Sequence, residues 1–187
     1  MSRTRPISIG DTVPARTLTS IHGTPTPVPD PTGLVHLQLR RFAGCPICNV
    51  HLNQITQRHD EILAAGIREV VVFHSSVEVM LPYQAELPFD AVADPDRLLY
   101  GEFGARESIR ALGSLRAVRA SLRGIPRAVR AGGLRGAVGV GERHLGQPAE
   151  FLIEPGGRVR DRKYGVHAYD QWSVDELLQR ARAGSAS

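Results

Sequence analysis

Hydrophobic and polar residues alternate in some stretches of this chain and follow a helical period in others. Residues 34–41 have the two-residue period of a β-strand with two different faces. Beyond them, apolar residues recur every three or four positions until Gly66, which predicts a helix beginning at Pro46. On the strand, the apolar positions are Val35, Leu37 and Leu39, and the polar ones are His36, Gln38 and Arg40.

The rest of the pattern continues the succession of strands and helices. The wholly apolar run over 70–73 predicts a strand covered on both faces. Two Ser-x-x-Glu capping boxes, at 75–78 and 173–176, predict helix starts, as does Asp94-Pro95. This order predicts an α/β fold with a central mixed sheet flanked by helices. The other predicted elements are a hairpin over 7–28, strands over 91–93, 148–153 and 158–164, and helices over 75–86, 96–103 and from 173 onward.

Length and composition are those of one ordinary domain. The chain has 187 residues, of which 42% are hydrophobic and 22% charged, so we expect a single domain over 1–187. The first residues carry arginines but no apolar run behind them. No stretch approaches the roughly 18 apolar residues that a membrane span needs. We therefore expect a cytoplasmic protein.

The positive charge is concentrated between Ala105 and Arg143. This segment holds nine arginines and two glutamates, a net charge of +7, whereas the other 14 basic and 17 acidic residues give −3. Its apolar residues have helical spacing, which predicts a basic helical insertion over about 105–145. We interpret its apolar side as packing on the domain or in a homodimer, and membrane contact through 106–130 stays open. Nucleic-acid binding is not expected, because aromatic residues are only 5% and no docking motif is present.

The two cysteines stand together as Cys45-Pro46-Ile47-Cys48, where the strand turns into the helix. A disulfide across so short a loop restricts the unfolded chain little, so redox chemistry or metal binding explains the spacing better. His51 extends the spacing to Cys-x-x-Cys-x-x-His, but no further pair completes a tetrahedral metal site. We expect no metal, and we expect His51 to face solvent.

The succession of a strand, a CxxC at a helix start, two βα units, a proline before a hairpin and a final helix resembles the thioredoxin fold. The chain is also similar to the peroxiredoxin-like family of the alkyl hydroperoxide reductase and thiol-specific antioxidant type, over 7–104 and 145–182. The stretches that carry this similarity are Gly10–Pro14, Arg40–Cys48, Asp94–Gly104 and Pro148–Ile153.

The resemblance implies an antioxidant enzyme that reduces hydroperoxides through a cysteine sulfenate and an intramolecular disulfide. It needs no cofactor, and an external thiol or a thioredoxin-type reductant regenerates it. Cys45 lies at the helix N-terminus, where free N–H groups lower a thiol pKa, and we expect solvent to reach it. Cys48 lies one turn deeper and resolves the oxidised Cys45. The residues expected to meet the substrate are Phe42, Gly44, Pro46, Gln147 and Pro148, with a cis bond between the last two.

Three positions depart from the usual peroxidase pattern. The threonine position is Phe42, the proline position is Gln38, and the residue after Pro148 is Ala149 instead of arginine. These departures keep a second function open, a thiol-disulfide oxidoreductase acting on protein or small-molecule disulfides. A hypothesis of another class is a non-catalytic binding module that works through Arg116, Arg119 and Arg123. We interpret the remaining polar candidates as packing or capping residues: His74, Tyr164, His167, Asp170 and Trp172.

Overall fold

The structure is a computed structural model that describes residues 5–105, 147–167 and 169–183. The predicted basic insertion, with Arg116, Arg119 and Arg123, lies outside the described residues. Among the described helices, none has the length and apolar character to cross a membrane.

A five-stranded mixed sheet forms the centre of the fold, and a separate two-stranded hairpin precedes it. The hairpin pairs β1 (Arg16–Thr19) with β2 (Pro25–Val28), as predicted. The strands of the sheet are β3 (Leu34–Leu39), β4 (Ile67–Phe73), β5 (Asp90–Ala93), β6 (Ala149–Ile153) and β7 (Val159–Tyr164). Their spatial order is β5-β4-β3-β6-β7, with β3, β4 and β5 parallel and β6 and β7 antiparallel to their neighbours. The predicted α/β class and mixed sheet are confirmed.

Five helices accompany the sheet within the described part of the chain: α1 (Pro46–Gln57), α2 (His59–Ala64), α3 (Val77–Gln84), α4 (Leu98–Glu102) and α5 (Val174–Ala183). The prediction of one continuous helix from Pro46 to Gly66 is wrong. Arg58 leaves the helical conformation, with φ −118° and ψ 20°. Its side chain bonds to Glu61 and to Asp175 at the start of α5. The apolar residues keep their helical spacing across Arg58, so this spacing alone does not reveal the break between α1 and α2.

The predicted helix starts have different outcomes. Ser173 and Glu176 form the expected capping box, since each side chain accepts the other's backbone N–H. The box predicted at Ser75 is not formed: α3 begins after Ser76, and the Ser75 hydroxyl accepts the N–H of Ala43 at 3.0 Å. The Asp94 carboxylate caps α4 by accepting the N–H groups of Leu98 and Leu99.

The central strand β3 separates two apolar layers. On one face, Val35, Leu37 and Leu39 pack in a cluster with residues of β4, β6 and α4. On the other face, His36 and Gln38 are as fully buried as their apolar neighbours. Strands on both sides and the chain that leads into α5 cover this polar face. Because β3 ends at Leu39, the cysteines follow directly at its carboxyl end.

Candidate active site

Cys45 is the N-cap residue of α1, with extended φ and ψ of −65° and 111°. Its N–H donates to the Phe42 carbonyl at 3.1 Å, and its carbonyl accepts the N–H of Asn49 at 3.1 Å. Pro46 occupies the first turn, where its missing N–H costs nothing. The predicted strand-to-helix junction is therefore confirmed, and both cysteines are free thiols.

The Cys45 side chain is buried, with 2% of its surface exposed, and Cys48 is fully buried. The expectation that solvent reaches Cys45 is wrong. Phe42 forms a small cluster with both cysteines, and the Arg41 guanidinium lies 5.7 Å from the centre of the Phe42 ring. A hydrogen bond from Gln84 to the Ala43 carbonyl, at 3.0 Å, holds the loop before Cys45 in place. A helix start is exposed in isolation, and here the neighbouring loop covers it.

The two sulfur atoms are hydrogen-bonded to one another. This bond is the largest cause that raises the pKa of Cys48 well above its usual value, followed by burial. The charge of Arg40 and the backbone N–H of Arg41 act in the opposite direction. The raised pKa favours the protonated form of Cys48, which is hydrogen-bonded to the sulfur of Cys45. Cys45 itself lies at the first turn of α1, where backbone N–H groups have no partner within the helix.

Six buried polar residues lie behind the cysteines, and we call them the buried polar cluster: His36, Gln38, Arg40, His51, Glu69 and Glu150. The Glu69 carboxylate accepts Nδ1–H of His36 at 2.9 Å and a hydrogen bond from Gln38. The Glu150 carboxylate accepts the N–H of Trp172 at 2.6 Å. Burial raises the pKa of Glu150 even though Arg40 and His36 oppose the shift. The cluster thus joins β3, β4, β6 and α1.

His51 belongs to this cluster, so the prediction that it faces solvent is wrong. Its Nε2 lies 2.7 Å from the Trp172 carbonyl and its Nδ1 lies 2.8 Å from Nη2 of Arg40. A carbonyl only accepts, so Nε2 carries the hydrogen and Nδ1 accepts from the guanidinium. Burial, then the charge of Arg40, lowers the pKa of His51 to about 2. The ring is neutral, and both its nitrogens are engaged by these protein groups.

The residues expected to meet the substrate are only partly brought together. Phe42 contacts the cysteines, Gly44 is half-buried beside them, and Pro46 begins α1. Gln147 is half-buried and Pro148 is buried, with its carbonyl accepting the N–H of Gly165 at 2.8 Å.

The predicted cis bond at Gln147–Pro148 is wrong. Among the described residues the one cis peptide bond is Val28–Pro29. The packing and capping interpretation is confirmed for three of the remaining polar candidates. The Tyr164 hydroxyl donates to the Phe103 carbonyl at 2.5 Å, Asp170 accepts the N–H of Val166, and Trp172 is buried in the core.

Sequence reasoning missed the buried polar cluster, although a signal was present. Glu150 stands inside a strand that is otherwise apolar, Glu69 directly precedes the apolar run of β4, and His36 and Gln38 occupy the strand between them. Charged residues are seldom fully buried unless they are paired. Two carboxylates on buried strands therefore indicate cationic or hydrogen-bonding partners on the same face.

Comparison with known proteins shows the family of this chain. A family described as AhpC/TSA antioxidant enzyme matches residues 54–164. This is more than half of the chain, and the chain belongs to that family. It is thus a peroxiredoxin-like, thiol-dependent oxidoreductase. The matched range begins after Cys48 and includes 105–144, which the sequence resemblance did not cover. No curated protein sequence matches the chain.

Solved structures share the thioredoxin-like fold over nearly the whole chain. Peroxidoxin BcpB from Mycobacterium tuberculosis is 18% identical, with 94% of this chain and 96% of that chain covered and a TM-score of 0.67. Peroxiredoxin 6 of Arenicola marina is 13% identical, with 96% and 74% covered and a TM-score of 0.69. AhpC of Mycobacterium bovis is 14% identical, with 98% and 95% covered and a TM-score of 0.66. The predicted thioredoxin-like fold is confirmed.

Proposed function

We propose that this protein reduces small hydroperoxides through Cys45 and Cys48. The observation that carries the proposal is the placement of Cys45: it is the N-cap residue of α1, its side chain is hydrogen-bonded to that of Cys48, and it is 2% exposed. A thiolate there is stabilised, which favours attack on an oxidant. A hydroperoxide is small enough to approach a sulfur that is nearly covered, whereas a disulfide in a folded protein needs a more open surface.

The first step oxidises Cys45 by two electrons. Its thiolate attacks the terminal oxygen of the hydroperoxide, so that an S–O bond forms and the O–O bond breaks. The departing alkoxide takes up a proton and becomes an alcohol, or water if the oxidant is hydrogen peroxide. Cys45 is left as a sulfenic acid.

The second step forms the disulfide. The sulfur of Cys48 attacks the sulfur of Cys45, an S–S bond forms, and the S–O bond breaks. The hydroxide leaves as water with the proton that Cys48 gives up. An external thiol or a thioredoxin-type protein then reduces the disulfide, so the cycle uses no other cofactor.

In this proposal the substrate contacts Phe42, Gly44 and Pro46 around Cys45. Gln147 and Pro148 border the substrate on another side. The proposal extends to the whole chain as one domain with the insertion at 105–145, acting in the cytoplasm. A solved bacterioferritin comigratory protein of Xanthomonas campestris, described for its alkyl peroxide reduction activity, shares the fold and supports the peroxide substrate. An external thiol reductant and a homodimer are part of the same proposal.

The experiment is stopped-flow oxidation of the reduced protein by hydrogen peroxide, an organic hydroperoxide and a small disulfide. We expect the hydroperoxides to oxidise Cys45 faster than they oxidise a free thiol of matched pKa, and the disulfide to show no such advantage. The reverse order would establish the thiol-disulfide oxidoreductase instead. If no oxidant reacts faster than with the free thiol, both enzymatic proposals fail.

The roles of the two cysteines are tested by substitution. Cys45→Ser should abolish the reaction. Cys48→Ser should keep the first step and accumulate a sulfenic acid on Cys45, detected by mass spectrometry after one equivalent of oxidant. Recovery of the oxidised species on Cys48 in the Cys45→Ser variant at the wild-type rate would reverse the assignment.

A further inference from the structure

Arg40 is a charged residue whose side chain is fully buried at the end of β3. Moving a guanidinium out of water costs several kcal/mol unless its hydrogen bonds are replaced. Here only Nη2 is satisfied: it bonds to Gln38, lies 2.8 Å from Nδ1 of His51 and lies 3.4 Å from Oε1 of Glu150. Within the described part of the chain, Nε and Nη1 have no hydrogen-bond partner. The cation is therefore held by one nitrogen, and the three N–H donors of the other two nitrogens remain available.

The face of α1 that covers Arg40 is the face that carries Cys48. Residues three apart on a helix are neighbours on one side. His51 contacts the guanidinium directly, and Cys48 precedes it by three residues. The charge of Arg40 is among the causes that lower the pKa of Cys48, which agrees with this placement.

Glu150 is the anion that competes with Cys48 for the guanidinium. It approaches Arg40 from β6, on the side of β3 away from β4. Removing its charge leaves Arg40 with one fewer negative partner, and His51 is neutral. The other titratable groups described around Cys48 and the guanidinium are Cys45 at the N-cap of α1, His36 on β3, Glu69 on β4 and Tyr100 on α4.

The resolving step changes what holds the Cys48 proton. Before oxidation, the hydrogen bond to Cys45 keeps Cys48 protonated. Once Cys45 is a sulfenic acid, its negative charge is gone, and Cys48 has to lose its proton in order to attack. The groups left to stabilise a buried thiolate are then the backbone N–H of Arg41 and the cation of Arg40.

We propose that Arg40 is the buried cation that stabilises the Cys48 thiolate in the resolving step, and that His51 and Glu150 hold its guanidinium in position. This inference rests on the proposed function, since it assigns a residue to the second step at the same site. The step itself is unchanged: the Cys48 sulfur bonds to the Cys45 sulfur, the S–O bond breaks, and hydroxide leaves with the Cys48 proton as water.

The test measures the pKa of Cys48 without any substrate. In the Cys45→Ser protein, Cys48 is the one remaining thiol, and the ultraviolet absorbance of its thiolate is titrated against pH. Adding Arg40→Gln should raise this pKa by about one unit, and Arg40→Lys should recover part of the shift because a charge is restored. Adding Glu150→Gln should lower the pKa, because the competing anion is removed. The two glutamine variants are thus expected to act in opposite directions.

Matched controls separate an electrostatic effect from loosened packing. Arg158→Gln removes the same charge from an exposed turn at the far end of β6 and should leave the pKa of Cys48 unchanged. Shifts in the same direction for Arg40→Gln and Glu150→Gln would overturn the proposal, as would a larger shift for Arg41→Gln than for Arg40→Gln. If Arg40→Gln does not fold, the pKa of Cys48 in Arg40→Lys and in Glu150→Gln still tests the role of Arg40.

A kinetic measurement connects this pKa to the reaction. With Cys45 and Cys48 both present, one equivalent of hydrogen peroxide is added, and acid-quenched samples are analysed for sulfenic acid and disulfide. Disulfide formation should be about tenfold slower at pH 7 in Arg40→Gln, while the first step changes little. If wild-type Cys45 is not oxidised by peroxide, the proposed function fails, whereas the thiolate titration still tests Arg40.

Discussion

His51 lies one turn after Cys48, with one ring nitrogen on Arg40 and the other on the Trp172 carbonyl. Neither contact is visible in the spacing of the sequence, which favoured an exposed histidine. The ring instead joins the backbone before α5 to the guanidinium at the end of β3. Its protonation would place a second positive charge beside Arg40 in a buried site, which is why its pKa lies at about 2.

This depressed pKa makes stability depend on pH. The folded protein does not protonate His51 above about pH 2, whereas the unfolded chain protonates it below 6.5. Since the unfolded state binds more protons, the free energy of unfolding decreases as the pH falls through 6.5. Between pH 7.5 and 5.5 we expect His51 alone to account for a loss of about 1.4 kcal/mol.

Urea unfolding of the wild type and of His51→Gln at the two pH values measures this contribution. Carboxylates and other histidines contribute to both proteins, so the difference between them isolates His51. The variant should lose about 1.4 kcal/mol less than the wild type. Equal losses in the two proteins would show that His51 is protonated as easily in the folded state as in the unfolded one.

The turn between β6 and β7 contains two adjacent glycines with different constraints. Gly157 has φ +83°, and a Cβ there would lie 2.6 Å from the Val13 carbonyl oxygen. Its own carbonyl accepts the N–H of Val13 at 2.9 Å, so the turn holds the N-terminal segment against the sheet. At Gly156, a Cβ would meet no atom within 4 Å, and φ is not in the left-handed region.

Substitution of each glycine by alanine should therefore have unequal effects. Gly157→Ala places a side chain in the left-handed region and against a carbonyl, and should lower the free energy of unfolding by about 2 kcal/mol or more. Gly156→Ala should change it by less than about 0.5 kcal/mol. Urea unfolding of both variants makes the comparison, and similar losses would contradict the assigned turn geometry.

The two capping boxes show how well the start of a helix can be predicted from the sequence. Both have a serine three residues before a glutamate, and Ser173 with Glu176 caps α5 as expected. The hydroxyl of Ser75 is used instead by the N–H of Ala43, in the loop before the cysteines. The capping motif is local, but a distant backbone group can compete for the same hydroxyl.

Phe151 shows how the whole molecule depends on its apolar layers. The residue is fully buried on β6, with ring centres of Phe103 and Tyr164 at 4.9 and 5.5 Å. Phe151→Ala should lower the free energy of unfolding by about 3–5 kcal/mol, through lost burial and the cavity left behind. This is a large part of the roughly 5–15 kcal/mol that stabilises an ordinary domain.

The control for this prediction is Val166→Ala, because Val166 is 66% exposed. Its loss should be less than about 0.5 kcal/mol. Urea unfolding at pH 7.5 provides both values. If the two variants were equally destabilised, Phe151 would not be part of a tightly packed layer.

The sequence by itself determined the order of the elements, the junction that carries Cys45 and Cys48, and the thioredoxin-like class. The elements and the junction follow from periodicity, capping residues and glycine or proline positions, which act over a few residues, and the thioredoxin-like class follows from the resemblance of their order to that fold. Its predicted hairpins at 7–28 and 148–164 are present for the same reason.

Only the tertiary structure decided that Cys45 is covered, that His51 is buried and that Arg40 lies beneath α1. Each of these facts depends on groups far apart in the chain: Gln84 donates to the Ala43 carbonyl in the loop over Cys45, and the Trp172 carbonyl accepts from His51. Burial and the charges of such neighbours set the pKa of a thiol or an imidazole. The sequence pattern could predict candidates for the reacting residues, but their protonation is fixed by the packing of strands and helices around them.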